Sequence, residues 1–318
     1  MDATEARFPR VRASNGHYES FYLKACHPDE PLGVWIRYTV HKKPGEEPAA
    51  AVWFTFFERG KGPVAAKESG VVPAAGDGAW IRAGDASGMA DGRAFGWAGN
   101  AWWELTFESD EEPLFHLPSD WMYRAPLPKT KLCSPLPDAR FGGRIGLGDR
   151  QISLDGWRGM VGHNWGAEHA ERWIWLHWTT ADGEWLDVAV GRVIIGGMTT
   201  PWVANGAVSL EGERHAIGGR RGSDIREAPG ACEFHLAGRG ITVSGEVRAP
   251  LEDTVGWVYA DPGGGEHHSL NCSIADMLVR IEPKERPHRA FEIRGSVAYE
   301  LGVREHDHGV EMQPFPDP

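Results

Sequence analysis

Apolar and polar residues alternate along short segments of this chain, and the alternation predicts β-strands. In residues 102–108 (WWELTFE), one face would carry Trp103, Leu105 and Phe107, while the other is mainly polar. A period of two with one apolar face is typical of a half-buried antiparallel strand. Further runs of strand length, rich in aromatic and β-branched residues, are predicted at 34–40, 51–57, 172–178, 186–195, 241–247, 255–259, 269–281 and 291–301.

Glycine and proline, at 41 and 22 residues, separate these runs along the whole chain. Residues 261–265 (DPGGG), for example, predict a hairpin loop between two strands. No long segment shows helical periodicity with caps. Many short strands separated by turns predict an all-β protein of sandwiches or closed barrels, and 318 residues are enough for two of them.

Two segments depart from the strand pattern. The proline-rich residues 124–137 cannot form a central strand if each position must donate a ladder hydrogen bond, so a linker or covering loop is predicted there. The C-terminal residues 309–318 (GVEMQPFPDP) are expected to fray.

Charge and composition exclude several classes of protein. The 45 acidic and 33 basic residues give a net charge of -12, which disfavours a nucleic-acid surface. An integral membrane segment is not expected, because no run of about 18 apolar residues occurs. Because a secretory signal is not apparent either, a cytoplasmic location is expected. The four widely spaced cysteines predict reduced, packed thiols.

Fifteen tryptophans are the unusual compositional feature, and four of them lie in residues 162–178 (GHNWGAEHAERWIWLHW). Alternation from Arg172 to Trp178 would place Trp173, Trp175 and His177 on one face of a strand and apolar side chains on the other. Since both faces are apolar or aromatic, we expect burial on both sides, with one face forming the wall of a ligand cavity.

The residues just before this strand are candidates for acid-base chemistry. His163, Glu168, His169 and Glu171 surround Asn164, which could hold a partner side chain or polarise a substrate oxygen. Desolvation beside an apolar cavity would shift their protonation equilibria towards the range that acid-base catalysis needs. The alternative, in which the histidines are structural and the glutamates are solvated loop charges, remains open at this point.

Other chemistry is not indicated by the sequence. His163, His169 and His177 could converge on a metal, but their spacing matches no zinc motif, so no metal is expected. The histidine-containing clusters 266–268 and 305–308 are predicted to lie at the surface. A Walker lysine and a GxSxG elbow are both missing, and no cofactor is expected.

Two sequence motifs resemble the signature of a known superfamily. Residues 163–166 (HNWG) followed by 171–175 (ERWIW) are similar to the "NWG … W-x-W" signature of the group that includes tocopherol cyclase, carotenoid 1,2-hydratase and the AttH-like proteins. Residues 271–277 (NCSIADM) and 298–302 (AYELG) fit the same group. The resemblance implies two lipocalin-like antiparallel β-barrels packed side by side, with an apolar pocket near their junction. We assign them to residues 1–198 and 199–318.

The resemblance also implies a function. Members act on isoprenoid or polyketide-derived substrates without a redox cofactor, for example by protonating an alkene. The acidic residue that carotenoid hydratases carry two positions before the motif's asparagine is replaced here by Gly162, and the lysine that tocopherol cyclase carries just before it is replaced by His163.

We therefore expect a cofactor-independent cyclase, isomerase or lyase acting on a lipophilic small molecule, with a non-catalytic carrier of such ligands as the alternative. His163 or Glu168 would donate the proton, supported by His169 and Glu171. The expected pocket residues are Asn164, Trp165, Trp173, Trp175 and His177.

Overall fold

The computed structural model describes residues 1–219 and 222–315 and confirms an all-β, antiparallel architecture. Its first sheet contains thirteen strands. In chain order they are β1 (His17–Cys26), β2 (Leu32–Lys42), β3 (Ala49–Glu58), β4 (Val64–Val71), β5 (Pro73–Gly76), β6 (Ala79–Ala83), β7 (Ser87–Ala90), β8 (Arg93–Ala98), β9 (Ala101–Glu108), β10 (Leu114–Phe115), β11 (Thr130–Leu147), β12 (Arg150–Ser153) and β13 (Trp157–Gly166).

The second sheet contains ten strands, and a separate two-stranded hairpin interrupts its sequence. The sheet consists of β14 (Arg172–Thr179), β15 (Trp185–Arg192), β18 (Val203–Leu210), β19 (Glu213–Gly218), β20 (Ser223–Ala228), β21 (Ala231–Gly238), β22 (Ile241–Arg248), β23 (Val255–Ala260), β24 (Glu266–Pro283) and β25 (Arg289–Val303). The hairpin is β16 (Ile194–Ile195) with β17 (Met198–Thr199), and short 3-10 helices occupy Phe8–Arg10, Asp120–Tyr123 and Leu251–Asp253.

Each sheet curls into a barrel. The second barrel closes in the order β19-β18-β15-β14-β25-β24-β22-β21, and pairing between Ile217 and Gly238 joins its last strand to its first. The first barrel runs from β4 through β1, β13, β11 and β9 to β5 and is nearly closed. The chain changes from the first sheet to the second between Gly166 and Arg172, which is earlier than the division expected at residue 198.

Strand alternation decides which side chains meet between the barrels. In β14, Ile174 and Leu176 point into the core of the second barrel, so Trp173 and Trp175 point outward. The Trp175 ring meets the edge of Tyr22 of β1 with ring centroids 5.6 Å apart. The outer faces of β1 and β14 therefore line a common junction.

Direct hydrogen bonds also cross this junction. The buried Lys24 Nζ donates to the carbonyl oxygen of Ser296 at 2.5 Å, and Cys26 Sγ donates to that of Ser273 at 3.1 Å. All four cysteines are buried free thiols, as predicted.

The prediction of a loop throughout residues 124–137 is wrong, because β11 begins at Thr130 and pairs with β13. The register of this pairing shifts between Cys133 and Leu136 and again between Leu136 and Ala139. Pro135 and Pro137 lie inside these two irregularities, where a missing N–H interrupts no regular ladder hydrogen bond.

The C-terminal segment is also more ordered than expected over its described part. Val310 is buried, Met312 forms a bridge with Gly256, and the Gln313 N–H donates to the Gly256 carbonyl at 2.8 Å. Residues 316–318 of the predicted frayed tail lie outside the described residues. Within the described chain, no helix is both long and apolar enough to cross a membrane.

Candidate active site at the barrel junction

His169 lies in the segment that connects the barrels, and it forms a hydrogen-bonded pair with a carboxylate of the second barrel. Its ring Nδ1 and its backbone N–H both donate to Asp261 Oδ1, at 2.7 and 2.8 Å. Asp261 begins the predicted hairpin loop, whose presence between β23 and β24 is confirmed, and its side chain is 2% exposed. An Nδ1–H bonded to a carboxylate fixes the tautomer of the ring and leaves Nε2 for proton transfer.

Aromatic rings surround this pair. The His169 ring stacks on Tyr18 with centroids 4.0 Å apart, and Trp173 and Tyr259 each lie 5.6 Å from it. A cavity of about 20 Å³ adjoins the pair. It has room for about one water-sized group, so a larger ligand requires neighbouring side chains to move. Its lining comprises Tyr18, Glu19, Arg37, Thr39, Val40, His41, Trp53, His169, Tyr259 and Ala260.

Electrostatics keep the carboxylate of this pair ionised. Burial raises the pKa of Asp261, but the His169 hydrogen bond and the nearby imidazoles outweigh burial, and the net pKa is lowered. His267 Nδ1 lies 3.6 Å from Asp261 Oδ2. Desolvation, followed by the charge of His169, lowers the pKa of His267 to about 4, so this ring is neutral near pH 7.

The same three residues are where metal-binding atom types converge in the described chain. One ligand atom each from His169, Asp261 and His267 lies within 4.8 Å of the other two. Two imidazoles and a carboxylate suit a divalent transition metal. However, Nδ1 of His169 and Oδ1 of Asp261 are already bonded to each other, which favours a hydrogen-bonded pair.

His163, a predicted proton donor, has a different environment. It is fully buried, its Nδ1 donates to the Ala3 carbonyl at 2.8 Å, and its Nε2 lies 2.8 Å from Glu19 Oε1. Glu19 in turn accepts backbone N–H groups of Arg7 and Phe8. Because both ring nitrogens have protein partners, His163 fastens the N-terminal segment to the first barrel.

The other predicted polar residues also have protein partners. Glu168 pairs with Lys129 in a partly exposed ion pair, and Glu171 accepts from Arg304 Nε at 2.8 Å. Asn164 Oδ1 accepts from the Ser20 hydroxyl at 2.6 Å. Of the four acid-base candidates, His169 is the one that lines the junction cavity.

The predicted aromatic residues of the pocket do not lie together. Trp173 lies beside His169 and donates to Glu300 at 2.8 Å, while Trp165 packs in a separate cluster with Tyr123 and Cys133.

Trp175 and His177 belong to a second buried polar group. Trp175 donates to Asp187 Oδ1 at 3.0 Å, and His177 Nε2 bonds to the Pro137 carbonyl at 3.0 Å. Burial, then the charge of Lys24, lowers the pKa of His177 to about 3, so it stays neutral.

A larger concavity of about 790 Å³ lies on the outer face of β20, β21, β22, β24 and β25. It is open to solvent, and its lining includes exposed charged residues such as Arg226 and Glu233, which pair with each other at 3.4 Å. Buried titratable groups are concentrated at the barrel junction, which we therefore take as the candidate site.

Sequence reasoning missed Asp261, His267 and Arg37. Asp261 was assigned to a turn, and His267 and His268 were predicted at the surface, whereas they are 0% and 7% exposed. His308 was placed at the surface too, but it is buried and its Nε2 lies 2.8 Å from His268 Nδ1. One signal was present for Arg37: it is a charged residue inside an otherwise apolar strand sequence (VWIRYTV).

Known proteins of similar sequence match this chain over nearly its whole length. No protein-family model matches the sequence. Uncharacterized proteins from two strains of Mycobacterium tuberculosis are 27% identical over 311 residues, covering 95% of this chain and 91% of theirs.

Solved structures share the fold at low identity. An AttH-like protein from Nitrosomonas europaea superposes with a TM-score of 0.56 at 12% identity, covering 94% of this chain and 96% of its own. This chain has the tandem-barrel fold of the AttH-like proteins. CghA with Sch210972 gives a TM-score of 0.57 at 11% identity, covering 91% and 88% of the two chains. Kievitone hydratase from Nectria haematococca superposes with a TM-score of 0.57 at 10% identity, covering 91% of this chain and 89% of its own.

Proposed function

We propose that this protein is an enzyme of the cyclase, isomerase or lyase type that acts on a lipophilic, terpenoid-like or polyketide-like substrate by proton transfer at the barrel junction. The observation that carries the proposal is the buried His169–Asp261 pair beside an aromatic-lined cavity. The hydratase named among the proteins of this fold supports the same class of chemistry.

His169 supplies the proton in this proposal. Asp261 holds Nδ1–H and stabilises the imidazolium, and Nε2 makes no hydrogen bond to the described residues. Nε2–H gives its proton to an unsaturated carbon of the substrate, and the resulting cation becomes neutral by losing a proton, either directly or after ring closure or addition of water. The reaction needs no oxidant, because the ring returns to its starting state by taking a proton back.

The ring of Trp173, beside His169, would face a developing positive charge, whereas the Tyr259 ring already faces the Arg37 guanidinium. A cation–π contact contributes about 0.5 to 2 kcal/mol. This is a small part of the roughly 8 kcal/mol or more that enzymes supply, so substrate positioning between the barrels has to provide most of the acceleration.

The test is conversion of candidate terpenoids and polyketide-derived alkenes by purified protein, followed by mass spectrometry for an isomer or a hydrated product. His169→Phe keeps a stacking ring against Tyr18 but removes the proton, and should lower kcat by about 10² to 10⁴ while ligand binding persists. His235→Phe, on an exposed position of β21, is the matched control.

Two results would overturn the proposal. Turnover at the wild-type rate by His169→Phe would remove His169 from the chemistry. Tight binding of candidate ligands by the wild-type protein with no product from any of them would instead identify a lipophile carrier.

A further inference from the structure

Arg37 is a buried cation without an anionic partner among the described residues. It lies on β2, it is 5% exposed, and its side chain lines the junction cavity. Among residues 1–219 and 222–315, no carboxylate forms an ion pair with its guanidinium, and no hydrogen bond from its side chain is found. Its contacts are with rings: the guanidinium carbon lies 4.1 Å from the Tyr259 centroid and 5.7 Å from the Trp53 centroid.

Two carboxylates of the described residues lie near the cavity, and both are engaged with other partners. Asp261 is bonded to His169, with His267 and Arg304 within 3.9 Å of its second oxygen. Glu19 accepts from His163 and from two backbone N–H groups. Neither carboxylate therefore neutralises Arg37.

Burying an unpaired charge is costly, and buried guanidinium groups are ordinarily matched by a carboxylate or phosphate. The cation–π contacts offset part of this cost, but no described residue accepts a hydrogen bond from the N–H groups of the fork. A planar fork with free N–H groups fits the two oxygens of a carboxylate. The cavity has room for about one water-sized group, so a carboxylate would enter it with movement of the neighbouring side chains, and aromatic rings border it.

We propose that Arg37 binds the carboxylate of an amphipathic ligand whose apolar part lies among the aromatic rings of the junction. This assignment rests on the proposed function, since it names the class of substrate for that same site: a lipophilic carboxylic acid. Its head group would be held by Arg37, and its reacting carbon would lie towards His169.

The experiment compares decanoate with decanol, which share a chain length and differ in charge, by isothermal titration calorimetry at pH 8. We expect the wild-type protein to bind decanoate about tenfold to a hundredfold more tightly, as two charge-assisted hydrogen bonds would give. Arg37→Met should bind the two equally, and Arg37→Lys, which keeps the charge but not the fork, should keep part of the preference. Arg226→Met, an exposed arginine on β20, is the control and should retain the full preference.

The melting temperature separates a binding role from a structural one. Removing an unpaired buried charge should leave the melting temperature of Arg37→Met unchanged or higher. A lower melting temperature with an unchanged preference for decanoate would assign Arg37 to the fold and overturn the proposal. Equal binding of both ligands by the wild-type protein would overturn it as well.

The outcome is independent of turnover. A wild-type protein that prefers decanoate but converts no substrate would contradict the enzymatic function and leave the carboxylate site standing. Conversion of neutral substrates by a protein that has no preference for decanoate would support the enzymatic function and contradict the carboxylate site.

Discussion

The Tyr22 ring covers Gly162 on the neighbouring strand: a Cβ at residue 162 would lie 2.2 Å from Tyr22 Cζ. Gly162 is the position where the resemblance to carotenoid hydratases led us to look for an acidic side chain. No side chain fits there unless Tyr22 moves, so the glycine is required by close packing between β1 and β13. Tyr22 in turn contacts Trp175 of the second barrel.

Gly162→Ala should destabilise the protein by about 1 to 3 kcal/mol, because the added methyl group overpacks the junction. Chemical denaturation measures the effect. Combining it with Tyr22→Ala should cost less than the sum of the two single changes, since the ring that clashes is gone. Gly263→Ala is the control, because nothing lies within 4 Å of a Cβ at that position. Additive effects of Gly162→Ala and Tyr22→Ala would contradict the packing argument.

The Glu19 group predicts a particular loss of stability in acid. Burial raises the pKa of Glu19, but hydrogen bonds from His163 and His17 outweigh it and bring the pKa to about 2, below the ordinary 4.5. A carboxylate with a depressed folded-state pKa contributes stability that is complete above about pH 4.5 and is lost as the pH falls towards 2.

Glu19→Gln should therefore lower the free energy of unfolding at pH 7 by about 3 kcal/mol, since it leaves buried donors without their charged acceptor. Its stability should also vary less between pH 4.5 and pH 2 than that of the wild-type protein. Thermal melts across this range, with the exposed Glu285→Gln as control, make the measurement. Parallel curves for Glu19→Gln and the wild-type protein would show that the group is not ionised in the fold.

Metal removal distinguishes the two chemistries open to His169, Asp261 and His267. If the His169–Asp261 hydrogen bond is the working arrangement, dialysis against EDTA should change neither the melting temperature nor turnover. Elemental analysis of the freshly purified protein provides the independent measurement. One equivalent of a transition metal, with a fall in melting temperature when it is removed, would show that these residues bind a metal instead.

The fold was predictable because it depends on local patterns. Alternation in residues 102–108 and 172–178 placed two strands close to their observed positions, and the DPGGG sequence placed a hairpin. The proline-rich segment was mispredicted because a strand can accommodate proline at a bulge, and a bulge depends on the partner strand rather than on the local sequence.

The site was predictable only in part. The sequence predicted His169 as an acid-base candidate from its neighbours, but Asp261, to which it is hydrogen-bonded, is 92 residues away and had a local explanation as a turn residue. Burial of His267 and Arg37 arises only when the outer faces of two barrels come together, and neither face is visible to a local pattern. A charged residue inside an apolar strand sequence, as in β2, is the local feature that could have indicated Arg37 as a candidate site residue.

The location of His169 between the barrels has a mechanical consequence. The chain passes from one sheet to the other through residues 167–171, so His169 lies in the segment that connects the two barrels. Its ring rests on Tyr18 of the first barrel and is bonded to Asp261 of the second. A rotation that opens the junction to admit a ligand must pull these two partners apart, and one that closes it must bring them together. In the proposed function, ligand entry and the alignment of His169 as proton donor would therefore be the same movement.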